Sequence, residues 1–167
     1  MIITVWRHGE AEHAIPDEQR ELTGSGMDDI GFGCHQFASH LKALNLPAPE
    51  AVFSSTVLRA RQTADIVAGA FTHARVSDTA ALVPGASVED VDAMVTQWAD
   101  TAASDAHLLL VSHQPLVSLL LDYWTGEPGR VAALSPGGLA TVELAVAGPG
   151  QASLQFWCLP PDYGVGM

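Results

Sequence analysis

Close to its N-terminus the chain reads Ile2-Ile3-Thr4-Val5-Trp6-Arg7-His8-Gly9-Glu10. Residues 2–6 are too few for a helix, rich in β-branched side chains and apolar enough to be buried on both faces, which predicts a central strand of a sheet. Arg7 and His8 follow this strand directly. Because α/β sheets collect their functional residues at the carboxyl ends of the strands, the stretch predicts an α/β fold with a polar site at the end of its first strand.

The order of strand and helix recurs twice farther along the chain. Ala51-Val52-Phe53-Ser54 predicts a second strand. A helix is expected after it, with an apolar stripe at Val57, Ala60, Ala64, Val67 and Phe71. Another buried strand is predicted within His107–Ser112, and Pro115 stands where the first turn of the next helix is expected. This alternation predicts parallel strands joined by helical crossovers.

Two more helices are predicted from apolar stripes. One helix follows the Thr23-Gly24-Ser25-Gly26 segment, with its stripe at Ile30, Cys34, Phe37, Leu41 and Leu44. A later helix has Ser87 as its N-cap and its stripe at Val88, Val91, Val95, Trp98 and Ala102. Just before it, Ala80-Ala81-Leu82 is interpreted as a further strand.

The C-terminal part of the chain predicts a different connection. Leu139 to Val146 and Ser153 to Leu159 are strand-like runs, and the segment Ala147-Gly148-Pro149-Gly150 between them is typical of a turn. These runs predict an antiparallel C-terminal hairpin. With the preceding alternation, they predict a three-layer α/β/α sandwich with a mostly parallel central sheet.

The composition excludes several classes of protein. The 167 residues include 7 Lys and Arg against 19 Asp and Glu, and 48% are hydrophobic. Such a chain is expected to form one globular domain over residues 1–167 and not to bind nucleic acid, since affinity for a phosphate backbone needs clustered cations. No apolar stretch approaches the roughly 20 residues that span a bilayer. We therefore expect no membrane association and, with Cys34 and Cys158 as free thiols, a cytoplasmic protein.

The chemistry of the residues at the strand ends favours phosphoryl transfer. Arg7, Arg59 and His113 come from three separate strand ends of a chain with only six arginines and one lysine. Phosphoryl transfer spreads negative charge over three equatorial oxygens, so its site needs fixed cations, and arginine offers them as bidentate forks. His8 can act as the nucleophile through one ring nitrogen if its other N–H is held by an oxygen acceptor.

Three motifs in order resemble those of the histidine phosphatase superfamily. They are Arg7-His8-Gly9, the segment from Ser55 to Ala64 that contains Arg59-Ala60 and Gln62-Thr63-Ala64, and Ser112-His113 before a helix. The chain looks most like the short phosphohistidine phosphatases of the SixA type over essentially its whole length. The resemblance implies a phosphoglycerate mutase-like fold.

It also implies a role for each matching residue. His8 is the expected nucleophile, and Arg7, Arg59 and His113 are expected to bind the phosphoryl group. Gln114 and Glu10 are added as candidate substrate-binding residues because they adjoin the motifs. No metal and no cofactor are expected. Arg61, two positions from Arg59 on a helix, is interpreted as a surface charge. The remaining histidines are interpreted as structural or surface residues: His13, His35, His40, His73 and His107.

The absence of an evident general acid affects which substrate we expect. Ala81 stands where many members of the superfamily show a Glu, so no dedicated proton donor is evident. Cleavage of an alkyl ester needs such a donor, since its leaving group is about as basic as hydroxide, whereas an imidazole has an unperturbed pKa near ~6.5. We therefore expect a phosphohistidine-bearing protein as the substrate. Two alternatives stay open: a phosphatase for a small phosphomonoester with Glu10 or Glu89 as acid, and a phosphoprotein-binding module without turnover.

Overall fold

A seven-stranded mixed sheet runs through the centre of the molecule. The computed structural model describes all 167 residues, Met1–Met167. The strands are β1 (Ile2–Arg7), β2 (Ala51–Ser55), β3 (Arg75–Thr79), β4 (His107–Ser112), β5 (Leu139–Leu144), β6 (Ala152–Cys158) and β7 (Val165–Gly166). Their order across the sheet is β3-β2-β4-β1-β5-β6-β7. The first four are parallel and the last three antiparallel, which confirms the predicted parallel sheet with an antiparallel C-terminal hairpin.

Helices cover both faces of the sheet. They are α1 (Gly24–Ala43), α2 (Leu58–Ala70), α3 (Val88–Ala99) and α4 (Leu116–Thr125). Side chains of α1 and α2 pack with Trp6 on one face, and side chains of α3 and α4 pack with Ile3 and Val5 on the other. Successive residues of a strand point to opposite faces, so β1 contributes to both cores. The three-layer α/β/α sandwich is thereby confirmed.

The central position of β1 places its carboxyl end beside that of β4. The two strands are parallel and in register, with Arg7 opposite Ser112. On its other side β1 pairs with β5, and Trp6 lies opposite Leu139. Because β1 and β4 end level, the residues that follow them, His8 and His113, emerge at the same edge of the sheet.

Some predicted elements are wrong in detail. Ala80–Leu82 is a 3-10 turn, not a strand, because the Thr79 hydroxyl accepts a hydrogen bond from the N–H of Ala81 and starts a turn there. The strand lies earlier, at β3, which the sequence analysis did not predict; the short β7 was not predicted either. Helix α3 has the predicted Ser87 cap but ends at Ala99, three residues before Ala102.

The predicted stripe of α1 is buried at all but its last position. Ile30, Cys34, Phe37 and Leu41 are buried, and Leu44, at the C-cap, is 43% exposed. The start of α1 packs closely on the loop after β1. A Cβ atom on Gly26 would lie only 2.4 Å from the carbonyl oxygen of Glu10, so this approach requires glycine. None of the helices combines the length and the apolar character of a membrane span.

Candidate active site

A cavity of about 300 Å³ lies at the carboxyl ends of β1 and β4. The main-chain N–H of His8 donates to the carbonyl oxygen of Ser112, which ties the two strand ends together. The rings of His8 and His113 face each other with centroids 5.0 Å apart. The cavity is lined by Arg7, His8, Gly9, Glu10, Ala11, Arg20, Arg59, Pro84, His113, Gln114 and Pro136. All six residues predicted for the site are therefore brought together.

His8 is fixed in one tautomer. Its Nδ1 lies 2.7 Å from the carbonyl oxygen of Gly9, and since a carbonyl only accepts, Nδ1 carries the proton and donates. Its Nε2 accepts a hydrogen bond from Nε of Arg59 at 3.2 Å. Burial, together with the charges of Arg59 and Arg7, lowers the pKa of His8 to about 4, against the opposing effect of the Gly9 hydrogen bond. The ring is neutral at pH 7, and the lone pair of Nε2 faces Arg59, which also lines the cavity.

Arg7 is held from behind by the loop between α4 and β5. Its Nη1 donates to the carbonyl oxygen of Leu134 at 2.9 Å, while its Nε is buried without a partner. The N–H of Gly137 donates to the carbonyl oxygens of both Arg7 and His8, in a left-handed conformation with φ of 84° that favours glycine. Burial and the neighbouring Arg59 lower the pKa of Arg7. The arginine thus has a fixed back and a free edge on the cavity side.

Arg59 is buried in the first turn of α2 and reaches the cavity from the opposite wall. Besides its contact with His8, its Nη1 donates to the carbonyl oxygen of Asp17 at 2.9 Å and its Nη2 to the Asp17 carboxylate at 3.0 Å. Arg61, two residues on, is exposed and pairs with Asp78 at 3.6 Å. The interpretation of Arg61 as a surface charge is confirmed.

The next turn of α2 holds the loop after β1. The amide oxygen of Gln62 accepts from the N–H of Leu22 at 2.8 Å, and the hydroxyl of Thr63 accepts from the N–H of Gly9 at 3.1 Å. The Thr63 hydroxyl in turn donates to the carbonyl oxygen of Arg59. The sequence analysis quoted Gln62 and Thr63 without a role. The structure shows that they fasten the loop that carries His8 to the helix that carries Arg59.

His113 completes the cavity with an unpartnered ring. It is only 3% exposed, and neither of its ring nitrogens has a hydrogen-bond partner. Burial lowers its pKa to about 3, and the positive charge of His8, when that ring is protonated, and the charge of Arg59 act in the same direction. In the free protein the ring is therefore neutral, and the cationic donor expected from the sequence requires an anion in the cavity to raise the pKa.

The two remaining predicted residues lie at the cavity wall with polar groups already engaged. The amide nitrogen of Gln114 donates to the hydroxyl of Ser118 at 2.9 Å and to the carbonyl oxygen of Leu134 at 3.3 Å. The carboxylate of Glu10 accepts from the hydroxyl of Thr23 at 2.9 Å. Glu89, the other acid considered from the sequence, is not among the residues that line the cavity.

Two residues of the site were missed by the sequence analysis. We call residues 11–21 the strap, since this segment crosses from the end of β1 towards α1. Arg20 of the strap lines the cavity and donates to the carbonyl oxygens of Glu12 and Ala11 and to the carboxylate of Asp17. Asp17 bridges Arg20 and Arg59. The scarcity of arginine in the chain was a signal for Arg20 that the sequence analysis did not use.

Comparison with known proteins identifies the family of the chain. Residues 3–83 match the family model of the histidine phosphatase superfamily, branch 1. An uncharacterized protein of Picosynechococcus sp. is 35% identical over 119 residues, which cover 69% of this chain and 67% of that protein.

Solved structures of SixA proteins match the chain over nearly its full length. The protein histidine phosphatase SixA in complex with tungstate superposes with a TM-score of 0.78 at 26% identity, over 96% of this chain and 97% of that one. A SixA structure from Agrobacterium tumefaciens gives a TM-score of 0.74 at 20% identity, over 96% and 98%. The family match covers the strands and helices that carry Arg7, His8 and Arg59, and the structural matches extend the likeness to the part that carries His113. The chain belongs to the histidine phosphatase superfamily, branch 1.

Proposed function

We propose that the protein is a phosphohistidine phosphatase that removes the phosphoryl group from a histidine of a partner protein. The observation that carries the proposal is the state of His8: its Nδ1–H is held by Gly9, so its Nε2 carries the lone pair, next to Arg59, in a cavity lined by Arg7, Arg20 and Arg59. A neutral imidazole with a fixed tautomer is a competent nucleophile towards phosphorus. We also propose that residues 1–167 form a single domain and that the protein acts in the cytoplasm.

The proposed reaction has two steps. In the first, Nε2 of His8 attacks the phosphorus atom and the P–N bond to the substrate ring breaks; that ring already carries a proton on its other nitrogen, so it leaves as neutral imidazole. In the second, water attacks the phosphorus of phospho-His8, the P–N bond to Nε2 breaks, and inorganic phosphate leaves. Arg7, Arg59 and His113 stabilise the equatorial oxygens in both steps, and no residue other than His8 changes its covalent state.

The leaving group supports a phosphoramidate over an ester. Glu10 is the only carboxylic acid that lines the cavity, and its carboxylate already accepts a hydrogen bond from Thr23. An alkoxide would need a proton in the transition state, whereas an imidazole needs much less help. The likeness to SixA structures favours the same substrate. We therefore favour phosphohistidine over a small phosphomonoester as the substrate, and an enzyme over a non-catalytic binding module as the function.

Trapping the intermediate tests the proposal. Brief incubation with a radiolabelled phosphohistidine protein, followed by quenching in alkali, should leave base-stable, acid-labile label on the enzyme. His8→Ala should abolish the label, whereas His13→Ala, a matched change of an exposed histidine on the strap, should keep it. Label that survives acid, or that persists in His8→Ala, would contradict the assignment of the nucleophile.

The substrate class needs a second measurement on the same preparation. We expect measurable kcat/KM on the phosphohistidine protein and on phosphoramidate, and very low values on alkyl and sugar phosphates. Efficient turnover of sugar phosphates would favour the small-molecule reading with Glu10 as the proton donor. Tight binding of a phosphoprotein without release of phosphate would favour a binding module.

A further inference from the structure

Asp17 contacts a buried arginine of the cavity from an exposed position. Its side chain is 57% accessible, whereas that of Arg59 is 6% accessible. Asp17 nevertheless engages Arg59 twice, through its main-chain carbonyl oxygen at 2.9 Å and through its carboxylate at 3.0 Å. Burial of the arginine makes these two contacts stronger than an ordinary surface ion pair.

The two contacts occupy one edge of the guanidinium. A guanidinium is planar and carries five N–H donors, of which Asp17 takes one on Nη1 and one on Nη2. The remaining edge carries Nε, which points at Nε2 of His8 from 3.2 Å. Asp17 itself does not line the cavity, so it lies behind Arg59 and leaves the phosphoryl position open.

We propose that Asp17 is a positioning residue that locks the guanidinium of Arg59 with its Nε edge towards the phosphoryl group on Nε2 of His8. This rests on the proposed function, since it takes His8 as the phosphoryl acceptor. Without Asp17 the guanidinium can turn about the last single bonds of the side chain, Cγ–Cδ and Cδ–Nε. The N–H groups that should meet the equatorial oxygens then lose their fixed direction. Donors fixed in advance are what makes such a site effective in the transition state.

The carboxylate is suited to this role at working pH. Hydrogen bonds from Arg20 and Arg59 lower the pKa of Asp17, so it stays ionised. Arg20 holds the other carboxylate oxygen at 3.2 Å and is itself anchored on the carbonyl oxygens of Glu12 and Ala11. The carboxylate is therefore fixed from both sides, and this arrangement gives the strap a defined structural link to the cavity.

Binding of orthovanadate to the intact protein tests the proposal, because it reports on the cavity without turnover. We expect Asp17→Ala to weaken vanadate binding about 10-fold or more, a fraction of the loss expected for removing a transition-state donor. Asp17→Asn, whose amide oxygen can still accept from Nη2, should retain part of the affinity. Glu18→Gln, on the same 3-10 turn and with no side-chain hydrogen bond, is the matched control and should bind as wild type.

A double-mutant cycle separates positioning from a general effect of charge. In an Arg59→Ala background, Asp17→Ala should cause no further loss, because its effect acts through Arg59. Tighter vanadate binding by Asp17→Ala would make Asp17 a competitor of the anion and overturn the proposal. An equal loss with and without Arg59 would overturn it too. Thermal unfolding of each variant shows whether it is folded, and Asp17→Asn replaces the alanine variant if that one is not.

The outcome is distinguishable from failure of the proposed function. If wild type binds vanadate and the cycle shows the expected coupling, but no phosphohistidine is hydrolysed, the function is wrong and the role of Asp17 towards Arg59 stands. If phosphohistidine is hydrolysed and Asp17→Ala neither slows it nor weakens vanadate binding, the positioning role is wrong and the function stands. If wild type does not bind vanadate, both fail.

Discussion

Two of the cavity arginines, Arg7 and Arg59, are held by main-chain carbonyl oxygens in two very different settings. Nη1 of Arg7 donates to the carbonyl oxygen of Leu134 at 2.9 Å, and Nη1 of Arg59 donates to the carbonyl oxygen of Asp17 at 2.9 Å. Leu134 is fully buried and belongs to the core under α3 and α4. Asp17 lies on the strap, where Ile15, two residues before it, is 90% exposed.

The difference indicates that the contacts that stabilise the fold and the contacts that support only activity lie on different sides of the cavity. On the Leu134 side the anchor is a main-chain oxygen fixed by core packing, so its position depends on the same contacts that keep the protein folded. On the strap side the anchor is an exposed residue outside the core, so losing its hydrogen bonds and ion pair should cost far less stability than losing core packing. Changes on the first side should unfold the protein, and changes on the second should impair only the cavity.

The largest expected effect comes from the core side. Leu134→Ala should lower the free energy of unfolding by roughly 2–5 kcal/mol, because it leaves a cavity in a closely packed core. Ile15→Ala, a comparable truncation on the strap, should change it by less than about 0.5 kcal/mol. Urea denaturation of both variants measures the contrast. Equal losses would show that the strap is part of the core after all.

An effect of intermediate size is expected at Arg59 itself. Arg59→Lys keeps the charge but loses the planar fork that contacts both Asp17 and His8, so kcat/KM should fall by about 10²-fold. The free energy of unfolding should change far less than in Leu134→Ala. Arg61→Lys provides the control, since this arginine pairs with Asp78 away from the cavity. If the two lysine variants lost activity equally, the assignment of the cavity arginine would be incorrect.

The smallest effect is a change in how stability depends on pH. Burial lowers the pKa of His8 and His107 to about 4 and that of His113 to about 3, so the unfolded chain binds protons below pH ~6.5 that the folded protein does not. Stability should therefore be complete above that pH and fall as the pH is lowered towards 4. His107→Gln should remove close to one proton from this slope.

That measurement also isolates a histidine that has no part in the cavity. His107 is fully buried, with its Nδ1 donating to the carbonyl oxygen of Pro47 and its Nε2 accepting from the hydroxyl of Thr4. The replacement is expected to lower stability at neutral pH because these hydrogen bonds are lost. The slope between pH 6.5 and 4 is the readout, and an unchanged slope in His107→Gln would show that another group takes up the proton.

The sequence predicted those parts of the molecule whose burial follows from local pattern. The apolar runs of β1 and β4 and the stripe of α1 are of this kind, since their side chains face the core. Strand β3 was missed because it lies at the edge of the sheet, pairs only with β2 and consists largely of exposed polar residues. An edge strand of this composition carries no hydrophobic signal.

The site divides in the same way. Arg7, His8, Arg59 and His113 were predicted because each adjoins a strand end or a recognisable motif. Asp17 and Arg20 were not, because their contacts depend on the path of an irregular segment. Asp17 meets an arginine 42 positions away, and neither helical nor strand periodicity encodes such a pair. Only the folded structure shows which loop residue lies behind Arg59.

The position of β1 also has a consequence for how the protein is made. β1 is the first strand of the chain, but its two neighbours in the sheet begin at residues 107 and 139. During synthesis this apolar strand must therefore wait for most of the chain before it can pair, and pairing between such distant segments is slow. A nascent chain that ends before residue 134 carries Arg7 and His8 without the Leu134 and Gly137 main-chain groups that hold them. It should depend on chaperones to stay out of aggregates and should show no phosphatase activity until its last strands are complete.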